Sequence, residues 1–144
     1  MELIKIKKIR INGILKVDVP FNLINCTVEL ESGAQIITDG AVAINSRDSR
    51  YYSCGLMWQG FYVKSAGTIS LIWGKIEDAE AAVTLDDGAG AGITAVVFNR
   101  NHIGIRNGSA TAGPAAVNLV FFGGNTFDCS SALSPPFNTN LSPA

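Results

Sequence analysis

The sequence has little charge and almost no histidine. Only 16% of its 144 residues are charged, the formal net charge is −1, and His102 is its single histidine. That balance excludes the basic footprint that nucleic-acid binding requires. The one basic cluster, "KIKKIR" at residues 5–10, interleaves its cations with Ile6 and Ile9 and reads as the polar face of a strand. No run of about eighteen apolar residues is present, so no membrane-spanning helix is expected. The first residues are too charged for the apolar region of a signal peptide. The chain is therefore expected to be cytoplasmic, or a mature part or fragment of an exported protein. Cys26, Cys54 and Cys129 lie far apart with no Cys/His spacing for zinc. Buried free thiols are the plain expectation; one disulfide with one free thiol stays open for an exported chain.

Helical signals are missing too. Apolar segments of period 3.6 are absent, and glycine is frequent, at 15 residues. Short β-branched runs take their place: "IRINGILKVDV", "CTVELESGAQIIT", "GTISLIWGKI", "GITAVVF" and "AAVNLVFF". Several alternate in steps of two, as half-buried strands do. In the first, Ile9, Ile11, Gly13, Leu15, Val17 and Val19 are expected on one face. These runs also repeat. Setting Ile76 over Phe98, an offset of 98 − 76 = 22, places Leu71 over Ile93, Ala81 over Ile103, Val83 over Ile105 and Phe61 over Val83. An offset of 24 then sets Phe122 under Phe98, Val117 under Ile93, Asn125 under Asn101 and Phe127 under Ile103, with the slack in "GSATAGPA". A period of 22–24 predicts a solenoid, in which each coil buries its inward residues on equivalents about 4.8 Å away.

The stretch "MWQGFYVKSAGTISLIWGKIEDAEAAVTL" followed by "FNRNHIGI" resembles the right-handed parallel β-helix domains (pectate-lyase-like superfamily) of bacterial secreted and surface proteins with the type IX export route. The likeness lies in Met57, Trp58, Gly60 and Phe61, in the strand Gly67–Leu71 with the turn Ile76–Ala79, and in Phe98, Asn101, Gly104 and Ile105. It implies an all-β, right-handed parallel β-helix over residues 1–130; residues 131–144, rich in Pro, Ser and Asn and without a strand pattern, read as a tail or linker. It also implies a structural or binding module at the cell surface or outside the cell. The implied partners are polysaccharide or other surface proteins; separately, the uncovered end of a solenoid predicts stacking on neighbouring β-helix coils or self-association through the N-terminal edge.

Candidate sites follow from the columns. Asn101 and Asn125 are expected to turn inward at a bend as a ladder of amides, bonded to each other and to the turn backbone. Asp78 over Arg100 and Glu80 over His102 predict an outward patch of cross-strand charge pairs. Tyr51, Tyr52, Trp58 and Tyr62 are the candidates for stacking sugar rings, with Trp73 assigned to the core. The polar stretch at residues 45–55 is expected to protrude as a loop beside them. β-helices host pectin lyases and polygalacturonases, whose chemistry needs converging carboxylates, with Ca²⁺ in the lyases. Here Asp86 and Asp87 sit beside "DGAGAG" and share their column with Gly108 and Ser109, so they read as turn residues. No catalytic centre is evident. A carbohydrate-active enzyme or glycan-binding relative is the alternative, and Ca²⁺ is the only cofactor left open.

Overall fold

The computed structural model describes residues 7–108 and 117–137. The described residues form strands and turns only. They are β1 (Lys7–Ile11), β2 (Ile14–Val17), β3 (Phe21–Ile24), β4 (Cys26–Leu30), β5 (Gln35–Thr38), β6 (Ala43–Ser53), β7 (Gly60–Val63), β8 (Thr68–Glu77), β9 (Ala81–Leu85), β10 (Gly90–Asn99), β11 (Ile103–Asn107), β12 (Asn118–Gly123) and β13 (Thr126–Asp128). Every strand pairing is parallel, in two sheets with orders β1-β4-β6-β8-β10-β12 and β11-β9-β7-β5-β2. The chain is a parallel β-solenoid of about four turns. Where the long strands β6, β8 and β10 bend, the larger sheet divides into two faces. Face A stacks β3, the first halves of the long strands, and β12; face B stacks β1, β4, the second halves, and β13. The smaller sheet is face C.

The 22-residue register holds. Ile76 pairs with Phe98, Leu71 with Ile93, Ala81 with Ile103, Val83 with Ile105 and Phe61 with Val83. Inward residues stack into apolar columns such as Leu15–Ile36–Phe61–Val83–Ile105. Tyr51, Trp58 and Phe61 fill the middle of the core with edge-to-face and stacked rings. The offset of 24 does not hold. Phe98 pairs with Phe127 and Ile93 with Phe122, an offset of 127 − 98 = 29. An insertion costs a solenoid little where it leaves the coil between strands, so apolar matches alone could not fix its length.

Two further expectations fail for reasons of backbone geometry. The first strand breaks at Gly13 (φ 77) into β1 and β2, which belong to different sheets, and Val19 is exposed. Residues 45–55 are no protruding loop. Most of them lie in β6, central in the larger sheet, with Ser46, Ser49 and Ser53 buried among apolar neighbours. Hydroxyls at inward positions masked the strand pattern. They are tolerated because they are bonded: Ser46 Oγ lies 2.7 Å from the Tyr51 hydroxyl, and Ser49 Oγ accepts from the Cys26 amide at 3.1 Å.

The bend between faces A and B is made the same way in every coil. Asn25, Asp48, Trp73, Ala95 and Gly124 share one column, and each has a left-handed φ between 48° and 66°. A second bend, from face B toward face C, uses Asp78 (φ 61) and Arg100 (φ 57). These two corners position everything that follows.

Candidate functional site

The face B–C corner gathers a cluster of charged residues: Arg50, Lys75, Glu77, Asp78 and Arg100. Glu77 is 1% exposed although it stands on the outward side of β8. Arg50 donates to it from Nε (3.1 Å) and Nη2 (3.2 Å), Lys75 lies at 3.2 Å, and Arg100 Nη2 donates at 2.6 Å. Burial alone would raise the Glu77 carboxyl. The hydrogen bonds from Arg50 and Lys75 outweigh it and hold the group below its ordinary value. Asp78, also buried, accepts from Arg100 Nε at 3.1 Å.

The predicted Asp78–Arg100 pair therefore forms, but inside the corner rather than on an outer skin. The left-handed φ of both residues breaks strand alternation there. The predicted Glu80–His102 pair does not form. Glu80 accepts from Gln59 Nε2 at 2.8 Å, and the His102 ring lies against Phe137 with centroids 3.7 Å apart. Glu77, the centre of the cluster, was missed. Its signal was the alignment of Arg50 and Lys75 in one column beside it.

The asparagines act on backbone rather than on each other. Asn101 Oδ1 accepts from the Ala79 amide and its Nδ2 donates to the Ile76 carbonyl, both at 2.9 Å. Asn125 makes the same two bonds to Val96 and Ile93, both at 3.0 Å. The 29-residue register puts them at different corners, so they form no ladder with one another. Each follows a left-handed residue and reaches back to the coil before it.

The described part of the tail closes this corner. Ser130 exchanges two 3.0 Å hydrogen bonds with the Asn99 side chain. Ser134 Oγ donates to Asp78 at 3.4 Å, and the Pro135 carbonyl accepts from the Met57 amide at 3.0 Å. The segment runs back down the side of the stack instead of covering its last coil.

The predicted sugar-stacking group is dispersed. Tyr51 and Trp58 are 1% and 0% exposed, so neither can offer a ring to a ligand. Tyr51 points inward under its bond to Ser46, and its phenol is pushed up by burial. Trp58 donates from Nε1 to the Glu77 carbonyl at 2.8 Å. Tyr52 lies under the Arg50 guanidinium at 4.5 Å. Tyr62 donates to Asp86 at 2.7 Å, which raises its phenol and occupies that carboxylate. Cys54 and Cys129 are exposed and only Cys26 is buried; all three are free thiols. Cys54 donates to Glu29 at 3.2 Å, and that bond pushes its thiol up, away from nucleophilic use. Among the described residues no three His, Cys, Asp or Glu side chains converge as metal ligands do.

The exposed aromatic at a corner is Trp73, at the A–B bend. Alternation after Leu71 assigned it to the core, but its left-handed φ (48°) turns it outward, 48% exposed. The Arg47 guanidinium lies over its ring at 4.7 Å. Face A continues from this ridge as a shallow depression lined by Asn22, Ile24, Asn45, Arg47, Ser70 and Ile72 among others. Asn45 Nδ2 donates to Asn22 Oδ1 at 2.9 Å on the exposed surface, so the amides stand in a fixed row. The outward columns of this face, Asn22–Asn45–Ser70–Gly92 and Ile24–Arg47–Ile72–Thr94, contain Arg47 as their one charged residue. No family model matches the sequence, and comparison with curated proteins and with solved structures finds no significant match.

Proposed function

We propose that the chain is a structural and binding module of a secreted or cell-surface bacterial protein, a rigid β-solenoid that presents its A–B corner to a polysaccharide. Trp73 carries this reading. Its column is otherwise Asn25, Asp48, Ala95 and Gly124, residues that enter a left-handed bend readily or expose little apolar surface. A bulky ring there is disfavoured by the backbone, at about 1–2 kcal/mol, and it gains only partial burial. A residue that fits the fold so poorly at a site the fold repeats is a candidate for function. Its ring offers a flat apolar surface for the C–H face of a sugar. Arg47 and the Asn22–Asn45 row offer hydrogen-bond donors and acceptors beside it at fixed spacing.

Electrophoresis through gels containing dissolved polysaccharides tests the reading. The chain is expected to be retarded by at least one polysaccharide, and Trp73→Gly to migrate as it does in plain gel. Retardation that survives Trp73→Gly would remove Trp73 from the site. A panel with no retardation would remove the glycan reading. A carbohydrate-active enzyme would also shorten the polymer; the binding reading predicts retention without release of oligosaccharides.

A further inference from the structure

The last coil ends with its core uncovered. Phe127 belongs to the inward column Ile9–Val28–Tyr51–Ile76–Phe98–Phe127. It stacks on Phe98 with centroids 4.7 Å apart and planes 5° from parallel, yet it is 53% exposed. Phe122 and Leu119, at the ends of two neighbouring inward columns, are 50% and 51% exposed. Their counterparts one coil earlier are buried: Ile93, Ala91 and Phe98 lie directly beneath them. After β13 the described chain adds no coil above them but turns down the side to Asp78 and Met57. Among the described residues the outer edges of β12 and β13 have no strand partner. An apolar edge of this kind is a template for another strand.

At the opposite end, among the described residues, β1 is paired on one side only, with β4. Its inward residues Ile9 and Ile11 are half-buried, and its outward residues include Lys8 and Arg10. Arg10 holds Glu29 at 2.7 Å but leaves 65% of its side chain exposed.

We infer that the chain stacks head to tail on a second copy, β13 of one copy taking β1 of the next as the following rung of the same parallel sheet. The existing register carries over. It sets Phe127 against Ile9 of the next copy, Thr126 against Lys8, and Asp128 against Arg10. Apolar meets apolar inside, and acid meets base outside, repeating the Arg10–Glu29 pair already made within the chain. The basic edge rejects the alternative of two β1 strands meeting, which would oppose lysine and arginine to themselves. The contact joins different surfaces of the two copies, so it does not close and builds an open series.

Multi-angle light scattering behind size exclusion, over a range of loading concentrations, tests this on the whole chain. The expected result is a mass that rises with concentration through multiples of 15.2 kDa. Asp128→Arg should weaken association at least about tenfold, because like charges then face each other. Arg10→Glu should do the same, and an equimolar mixture of the two variants should regain association, since each end again meets its opposite. Phe127→Asp should give a monomer. Circular dichroism reports whether each variant is folded; Asp128→Arg, on an exposed side chain of the last coil, carries the test should Phe127→Asp unfold. A monomer at every concentration would overturn the inference. So would association that neither Asp128→Arg nor Phe127→Asp weakens, or two charge variants that fail to rescue each other.

Discussion

The two tryptophans stand near two corners of the same coil and have opposite fates. Trp58, beside the B–C corner, is fully buried and bridges to Ala79; its indole N–H is spent on the Glu77 carbonyl. Trp73, at the A–B corner, is half exposed, and only an arginine lies over it. Around Trp58 the polar groups are consumed by the fold: Glu77 by three cations, Asp78 by Arg100, Asn101 by two backbone groups, Asn99 by the tail. Around Trp73 the polar groups stand on an open face. A cluster of charged residues is thus the closed, structural corner, and the corner around Trp73 is the open one. Density of ionisable groups is a poor guide to function where each has its partner within the chain.

Substitutions should reproduce this contrast. Trp58→Ala is expected to cost about 3–5 kcal/mol in chemical denaturation, since it empties the centre of the aromatic cluster. Asn101→Ala should cost about 2–4 kcal/mol, because it strands two backbone groups in a buried bend at about 1–3 kcal/mol each. Asn125→Ala removes the same pair of bonds at the last coil, where water can replace them, and should cost under about 1 kcal/mol. Equal losses for the two asparagines would show that the corners are not graded by burial.

Glu77→Gln comes next, at about 1–3 kcal/mol at neutral pH. Its three cationic partners keep access to solvent, which limits the loss. The pH dependence has a definite sign. Glu77 is held below its ordinary carboxyl value in the folded chain. Its contribution is therefore complete above the unfolded value, near 4.3, and disappears as pH falls through the lower folded value. The gap in melting temperature between the native chain and Glu77→Gln should be constant through neutral pH and shrink in acid. A gap that widened in acid would mean the carboxyl is raised instead.

The coil was legible in the sequence wherever inward positions were apolar and spacing was constant. Ile76, Phe98, Phe61 and Val83 announced their own pairing. It was illegible where inward positions carried hydroxyls. Ser46, Ser49 and Ser53 look solvated in a sequence, and only their bonding partners in space explain their burial. The register of the last coil was lost because an insertion leaves no trace in the strands that flank it. Trp73 was misplaced for a sharper reason. Period-two alternation assigns a side to every residue, but a left-handed φ reverses that assignment. Nothing in "SLIWGKI" marks Trp73 as the residue that adopts one, beyond the glycine after it. The same reversal buried Asp78, with Arg100 bonded over it and still partly exposed.

The smallest expected change is the most informative. Trp73→Gly removes the largest side chain of the open corner, yet its terms nearly cancel. Relief of the left-handed bend favours the variant by about 1–2 kcal/mol. Against it stand the loss of the Arg47 contact, about 0.5–1 kcal/mol, and the greater freedom of an unfolded glycine, about 0.5–1 kcal/mol. The net effect should lie within about 1 kcal/mol of zero, against a loss several times larger at Trp58. Denaturant midpoints of the two variants, measured side by side, decide it. A large loss at Trp73 would make that tryptophan a structural residue like its counterpart and would remove the argument that something outside the fold put it there. Near-neutral stability, with polysaccharide retardation abolished in the same protein, would separate the two corners by what each is for.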